Sequence, residues 1–193
     1  MKTTFLLFVV CLIGAVGCKT QTGVAPTETV IARSSDRDFG FEGTWVSESF
    51  SESVGDDSGT VLTITRDGDY VVKISDLDED LAEGLEIVFR THEIQRGQPH
   101  AVVEVELHQK EEVAYHRLAI AAVKDDMLYL WMIDGRKIGA LLYENNVPAV
   151  IEHFTFSSTV RCDPEKLLAA VVKNSNAVVG DVLAFRRRVA EDK

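Results

Sequence analysis

The sequence predicts a mainly β fold, an antiparallel β-barrel of about eight or nine strands with two short helices in the C-terminal third. Three observations predict it. From Phe41 onward the chain is a succession of short runs rich in Val, Ile, Thr and aromatic residues, the composition that suits a pleated, half-buried surface. The runs are separated by Gly and Asp turn signals such as Asp67-Gly68 and Arg96-Gly97. Within several runs, large apolar residues recur at every second position, as they must where one face of a sheet is buried. A half-open barrel or a two-sheet sandwich would satisfy the same pattern.

The chain begins with an address. Lys2 supplies a positive start, Phe5 to Ile13 is an apolar run too short to span a bilayer as a helix, and Gly14-Ala15-Val16-Gly17-Cys18 is a small-residue cleavage region; together these read as a signal peptide over residues 1–17. The sequence Ala15-Val16-Gly17-Cys18 resembles the lipobox of bacterial lipoproteins. That resemblance implies cleavage before Cys18, a lipid on its sulfur, and a location on the membrane surface of the bacterial cell envelope. Residues 18–41, with Thr-Gln-Thr-Gly, Ala-Pro-Thr and Ser-Ser-Asp-Arg-Asp, read as the lipidated cysteine and a flexible tether. Residues 42–193 form one domain, long enough for a single full core.

Strands are expected at about Thr44 to Phe50, Thr60 to Thr65, Asp69 to Ser75, Leu85 to Ile94, Ala101 to Gln109, Val113 to Val123, Met127 to Ile133, Phe154 to Val160 and Val182 to Arg188. Their pairing follows from keeping apolar residues on one face, since a slip of one residue turns the whole set outward. A three-residue loop Arg66-Asp67-Gly68 sets Leu62 and Ile64 beside Tyr70, Val72 and Ile74, and places Gly68 in the left-handed position of a bulged turn. A loop centred on Gly97 sets Leu85, Ile87 and Phe89 on the face of Val103, Val105 and Leu107, with Arg90 opposite Glu104 and Glu86 opposite His108. Carrying an even loop through Lys110-Glu111 puts Arg117 beside Glu104 and turns His116, Leu118, Ile120 and Ala122 inward. His116, Leu118 and Ile120 are therefore the candidate ligand-binding residues of the interior, and Ala101, Ala114 and Ala122 lean toward a void there.

Met127 to Ile133 is apolar on both faces, so something must cover its outer side. Leu128, Leu130 and Met132 point inward, leaving Tyr129 and Trp131 outside against the small Ala121 and Ala119. The helix opened by Asp163-Pro164-Glu165, an N-cap, a proline at the first helical position and an early acid, carries Leu167, Leu168, Val171 and Val172 on one face and is the natural cover. A shorter helix over about Arg136 to Glu144 ends before Asn145-Asn146-Val147-Pro148.

Gly43-Thr44-Trp45 at the first strand resembles the G-x-W signature of lipocalins. The resemblance implies a barrel whose tryptophan plugs one end and packs on a basic residue from late in the chain. Arg186, Arg187 and Arg188 are the candidates. If Phe185 points inward then so does Arg187, and closure brings the last strand beside the first, so Trp45 and Arg187 form the expected structural pair.

Other motifs carry less. His92, His100, His108 and His116 recur every eight residues, but in the register above Val105 faces His116 and Glu86 faces His108, so no metal site is expected. Asp76, Asp78 and Asp80 have calcium-loop spacing, yet Leu81 stands where the sharp turn needs Gly and Ile87 where the bidentate acid belongs. With Cys11 removed and Cys18 acylated, Cys162 has no disulfide partner and reads as a small buried apolar residue. The chain has no G-x-S-x-G, no H-E-x-x-H and no phosphate-cradling glycine loop. A net charge of −11 disfavours nucleic acid. The expected function is therefore non-enzymatic, without cofactor. The partners are the membrane, through the lipid on Cys18, and a small apolar ligand in the barrel. The alternative is a filled barrel that serves as an envelope protein-interaction module.

Overall fold

The computed structural model describes residues 23–47, 60–75, 85–109, 112–153 and 157–188. The signal and lipobox residues, the Asp76-Asp78-Asp80 motif and the start of the strand expected at Phe154 lie outside them. The described elements are β1 (Gly23–Pro26), β2 (Gly43–Ser47), β3 (Val61–Asp67), β4 (Asp69–Ile74), β5 (Leu85–Glu93), β6 (His100–Gln109), β7 (Glu112–Lys124), β8 (Met127–Ile133), α1 (Gly135–Glu144), β9 (Ala149–His153), β10 (Ser157–Cys162), α2 (Pro164–Lys173), α3 (Ser175–Val178) and β11 (Val179–Arg187). Among the described residues no helix is long and apolar enough to cross a membrane.

Eight strands close into an antiparallel barrel in the order β2-β3-β4-β5-β6-β7-β8-β11, with β11 returning to β2. From β2 to β8 each barrel strand pairs with its neighbour in sequence, as hairpin connections favour. The last strand is reached only after an excursion through α1, β9, β10, α2 and α3. Within it β9 and β10 pair antiparallel, and β1 adds to β10 in parallel, giving a second, three-stranded sheet. This excursion and the N-terminal segment form a layer on the outside of the barrel.

The chain therefore has two cores. The interior holds Leu62, Ile64, Val72, Ile87, Phe89, Val103, Val105, Leu128, Leu130, Leu183 and Phe185, plugged by Phe39, Phe41, Trp45 and Tyr70. The second core lies between the outer wall and the added layer, where Val102, Leu118, Ile120 and Ile133 meet Val24, Val30, Ile31, Ile138, Leu142, Leu167 and Val171. Each fully buried aliphatic side chain there contributes about 1.5 to 3 kcal/mol, enough to hold the layer down without a disulfide.

Several expectations hold. Leu62 and Ile64 share the face of Tyr70, Val72 and Ile74, and Gly68 has φ +75°, but Arg66 pairs with Tyr70 and Asp67 with Asp69, so the turn is centred on Gly68 and is not the expected loop Arg66-Asp67-Gly68. Ile87 faces Leu107, Arg90 faces Glu104 and Glu86 faces His108. Asp163 caps α2 by accepting from the Lys166 N–H at 3.1 Å; α1 has a cap that was not expected, Asp134, which accepts from the Arg136 N–H at 2.8 Å.

Three further expectations are corrected. Residues 23–41, read from composition as tether, are packed on the barrel: Val24, Val30, Ile31, Phe39 and Phe41 are all buried. The register of β7 is shifted by one residue. His108 pairs with Val113, as the Lys110-Glu111 loop requires, but Leu107 pairs with Tyr115, so Ala114 is the extra residue of a β-bulge. Beyond the bulge every side chain of β7 is turned over. Val103 faces Ala119 and Glu104 faces Leu118, so Arg117, Ala119 and Ala121 point inward, while His116, Leu118, Ile120 and Ala122 point out. Finally, Tyr129 and Trp131 do stand outside, but against Ala122 and Ile120. Leu167 and Val171 of α2 belong to the outer core, but the element that packs against β7 and β8 is β1, and Trp131 reaches only the edge of that core, half-buried.

Candidate functional site

Three places concentrate chemistry, and each follows from the architecture. The first is the closed end. Trp45 and Arg187 are directly opposed residues of β2 and β11, both inward by the alternation that makes Phe185 a core residue. The Arg187 guanidinium carbon lies 4.2 Å from the Trp45 ring centroid, within cation–π range. Its Nη1 donates to the Glu42 carbonyl at 2.8 Å and its Nη2 to the Gly40 carbonyl at 3.0 Å, while the indole Nε1 donates to the Phe41 carbonyl at 2.8 Å. Trp45 is fully buried. Gly43, at φ +135°, is needed here twice over: a Cβ would stand 2.7 Å from Arg187 Nη1, and L side chains rarely adopt that backbone conformation. Phe39 and Phe41 stack at 5.6 Å, and Phe41 meets Tyr70 at 5.2 Å, to complete the plug. The Tyr70 hydroxyl accepts from the Phe39 N–H at 3.1 Å. Burial raises its pKa from the ordinary value of 10.0, against the Phe39 hydrogen bond and the charge of Arg66.

The second place is the barrel interior. Its cavity is about 50 Å³, lined by Thr60, Leu62, Val72, Ile74, Ile87, Phe89, Val105, Ala119, Leu130, Met132, Leu183 and Phe185. Ligand pockets for drug-sized molecules run to about 300–1,000 Å³, so this space suits a few methylene groups. The candidate ligand residues His116, Leu118 and Ile120 do not line it. They lie on the outer wall because the bulge at Ala114 intervenes.

The third place was invisible in the sequence and lies under the N-terminal segment. Glu104 and Glu106 point outward from β6 and are completely buried. Glu104 accepts the Val30 N–H at 2.9 Å and the Ile31 N–H at 2.7 Å, and its Oε1 lies 3.1 Å from His116 Nδ1. Glu106 lies 3.3 Å from Arg90 Nε and 2.9 Å from His108 Nε2. Arg90, though opposite Glu104 in register, thus turns its charge to Glu106. His116 lies against Glu104 and His108 against Glu106; His92 and His100 take no part. Glu104, Glu106 and His116 bring their ligating atoms within 4.8 Å of one another. The oxygens already accept from two backbone N–H groups and face the Arg90 cation, so the arrangement acts as a latch for the N-terminal segment rather than as a set of open ligands. The signal that could have found it is a pair of acids at alternate positions in the run Ala101 to Leu107, where every other residue is apolar.

Cys162 is half-buried, and burial pushes its thiol above the usual value, which suits a packing residue and not a nucleophile. No family model, no curated protein and no solved structure matches this chain.

Proposed function

We propose that this chain is a lipid-anchored, lipocalin-like module of the bacterial cell envelope, non-enzymatic, in which the barrel is a filled scaffold and recognition takes place on its outside. The observation that carries the reading is the size of the interior, about 50 Å³ behind a plugged end. Support for the lipocalin likeness comes from the eight-stranded antiparallel closure and from the Trp45–Arg187 pair at its base. Support for the anchor comes from the Ala15-Val16-Gly17-Cys18 sequence. A second reading, a barrel that carries a small apolar ligand, is favoured by the apolar lining of the same cavity.

Two measurements test the proposal. Labelling with a palmitate analogue and fractionation should place the parent in membranes and the Cys18→Ser variant outside them. Equal processing and partitioning of the two would remove the anchor. Titration with a fluorescent fatty acid should show no saturable uptake. One-to-one binding blocked by Ala119→Trp, which fills the interior, would replace the filled scaffold by the carrier.

A further inference from the structure

The outer layer covers the barrel wall unevenly, and where it stops it leaves a groove. Leu118 and Ile133 are sealed beneath it, whereas Trp131, next to Ile120 across the β7–β8 pair, remains half-exposed. The groove there is about 370 Å³, lined by Ile94, Gln98, His100, Ile120, Trp131, Ser175, Asn176 and Val179. That is the size of a ligand site, and larger than the barrel's own interior.

Its chemistry is divided. Ile120, Val179, Ile94 and the Trp131 ring make an apolar floor. Gln98 and His100 come from the β5–β6 hairpin and Ser175 and Asn176 from α3, so polar groups face each other from two separate elements. The Trp131 ring stacks on Tyr129 at 5.4 Å and 19°, and His100 sits 6.2 Å from it at 43°. The Gln98 amide is held by donating to Gln95 Oε1 at 2.8 Å. The aromatic plane and one rim amide are thus fixed before anything binds, which lowers the ordering cost of association.

We infer that this groove is a binding site for a neutral sugar ring of a glycan. None of the eight lining residues is Asp, Glu, Lys or Arg, and a chain of net charge −11 disfavours anions. An occupant needs an apolar face to lie on Trp131 and an edge rich in hydroxyls. Amide side chains offer a donor and an acceptor side by side, which matches adjacent hydroxyl groups. A purely apolar occupant would desolvate four polar side chains without partners. This site is independent of the anchor and of the filled barrel, and its failure would leave both standing.

The test is a titration of the full-length protein with glucose, N-acetylglucosamine and the β-linked disaccharides of each, with indole and adenine as planar non-sugar probes. The indole N–H resonances are followed by NMR, and Trp131 is assigned through Trp131→Phe. At least one sugar should shift the Trp131 signal saturably, with a Kd on the order of millimolar, and leave the buried Trp45 signal in place. Gln98→Ala with Asn176→Ala, both exposed rim positions, should weaken binding about tenfold without moving the melting temperature. No saturable shift with any sugar, equal binding by the rim variant, or saturable binding of indole or adenine alone would overturn the assignment.

Discussion

The Arg187 guanidinium lies 4.2 Å over the Trp45 ring, and the two residues are partners in the β2–β11 ladder that closes the barrel. Removing the cation removes the ring contact and two charge-assisted bonds to the carbonyls of Gly40 and Glu42. Arg187→Ala should therefore cost about 2 to 3 kcal/mol, and Arg187→Lys should restore only part, because an ammonium cannot span both carbonyls. Urea unfolding reads this as a lower midpoint at constant slope. A change under about 0.5 kcal/mol would show that the arginine is merely solvated there.

Gly43→Ala should destabilise by about 1 to 3 kcal/mol, from backbone strain at φ +135° and from displacement of Arg187. The double variant with Arg187→Ala separates the two causes. If displacement matters, the pair costs less than the sum of the single changes.

Glu104 latches the N-terminal segment, so Glu104→Ala should cost about 3 kcal/mol by stranding two buried N–H groups. Glu104→Gln, which keeps one acceptor oxygen, should cost less. Hydrogen exchange gives the local readout: the Val30 and Ile31 amides should lose protection in both variants, while amides of β3 and β4 keep theirs. Unaltered protection at Val30 and Ile31 would mean that the segment is held by apolar packing alone.

Tyr70 sets an alkaline limit. Its pKa is raised in the folded state, chiefly by burial, so the unfolded chain ionises first as pH rises. The contribution is whole below pH 10.0, the unfolded value, and is lost as pH climbs through the folded value. Stability measured from pH 9 to pH 12 should fall more steeply in the parent than in Tyr70→Phe. Identical slopes would contradict this.

Deleting Ala114 tests the bulge. The deletion would leave a regular hairpin, with His108 still opposite Val113 and Leu107 opposite Tyr115, so Leu118 and Ile120 keep facing outward. A retained cooperative unfolding transition, shifted by less than about 2 kcal/mol, is the expected result. Loss of that transition would show that the bend at the bulge is itself needed to seat the outer core.

The same strand shows why part of this fold was legible in the sequence and part was not. Alternation located the shared faces of β3–β4 and β5–β6 because one face of each carries clearly larger apolar residues, and closure then brought Arg187 to Trp45. It failed on β7, where both faces are buried. The larger Leu118 and Ile120 look outward into a second core while Ala119 and Ala121 face a narrow interior, so size pointed the wrong way. The second core was itself hidden, because Val24, Val30 and Ile31 are scattered among turn-forming residues, and their backbone donors are answered by Glu104 more than seventy positions away. The groove at Trp131 was half legible. The doubly apolar strand announced that Tyr129 and Trp131 needed cover, but only the folded layer shows how much of Trp131 it leaves open.

On the proposed lipid anchor at Cys18, the latch at Val30 and Ile31 also decides how far the domain can stray from it. A slack segment from Cys18 to Phe41 would have paid out a line of about 80 Å at full extension, and the barrel would have swept the space above the bilayer. With the segment made fast from Gly23 onward, the line shortens to about 18 Å. An acyl group on Cys18 would then berth the domain against the headgroups, and whatever the outer wall binds would have to come to the membrane surface to be caught.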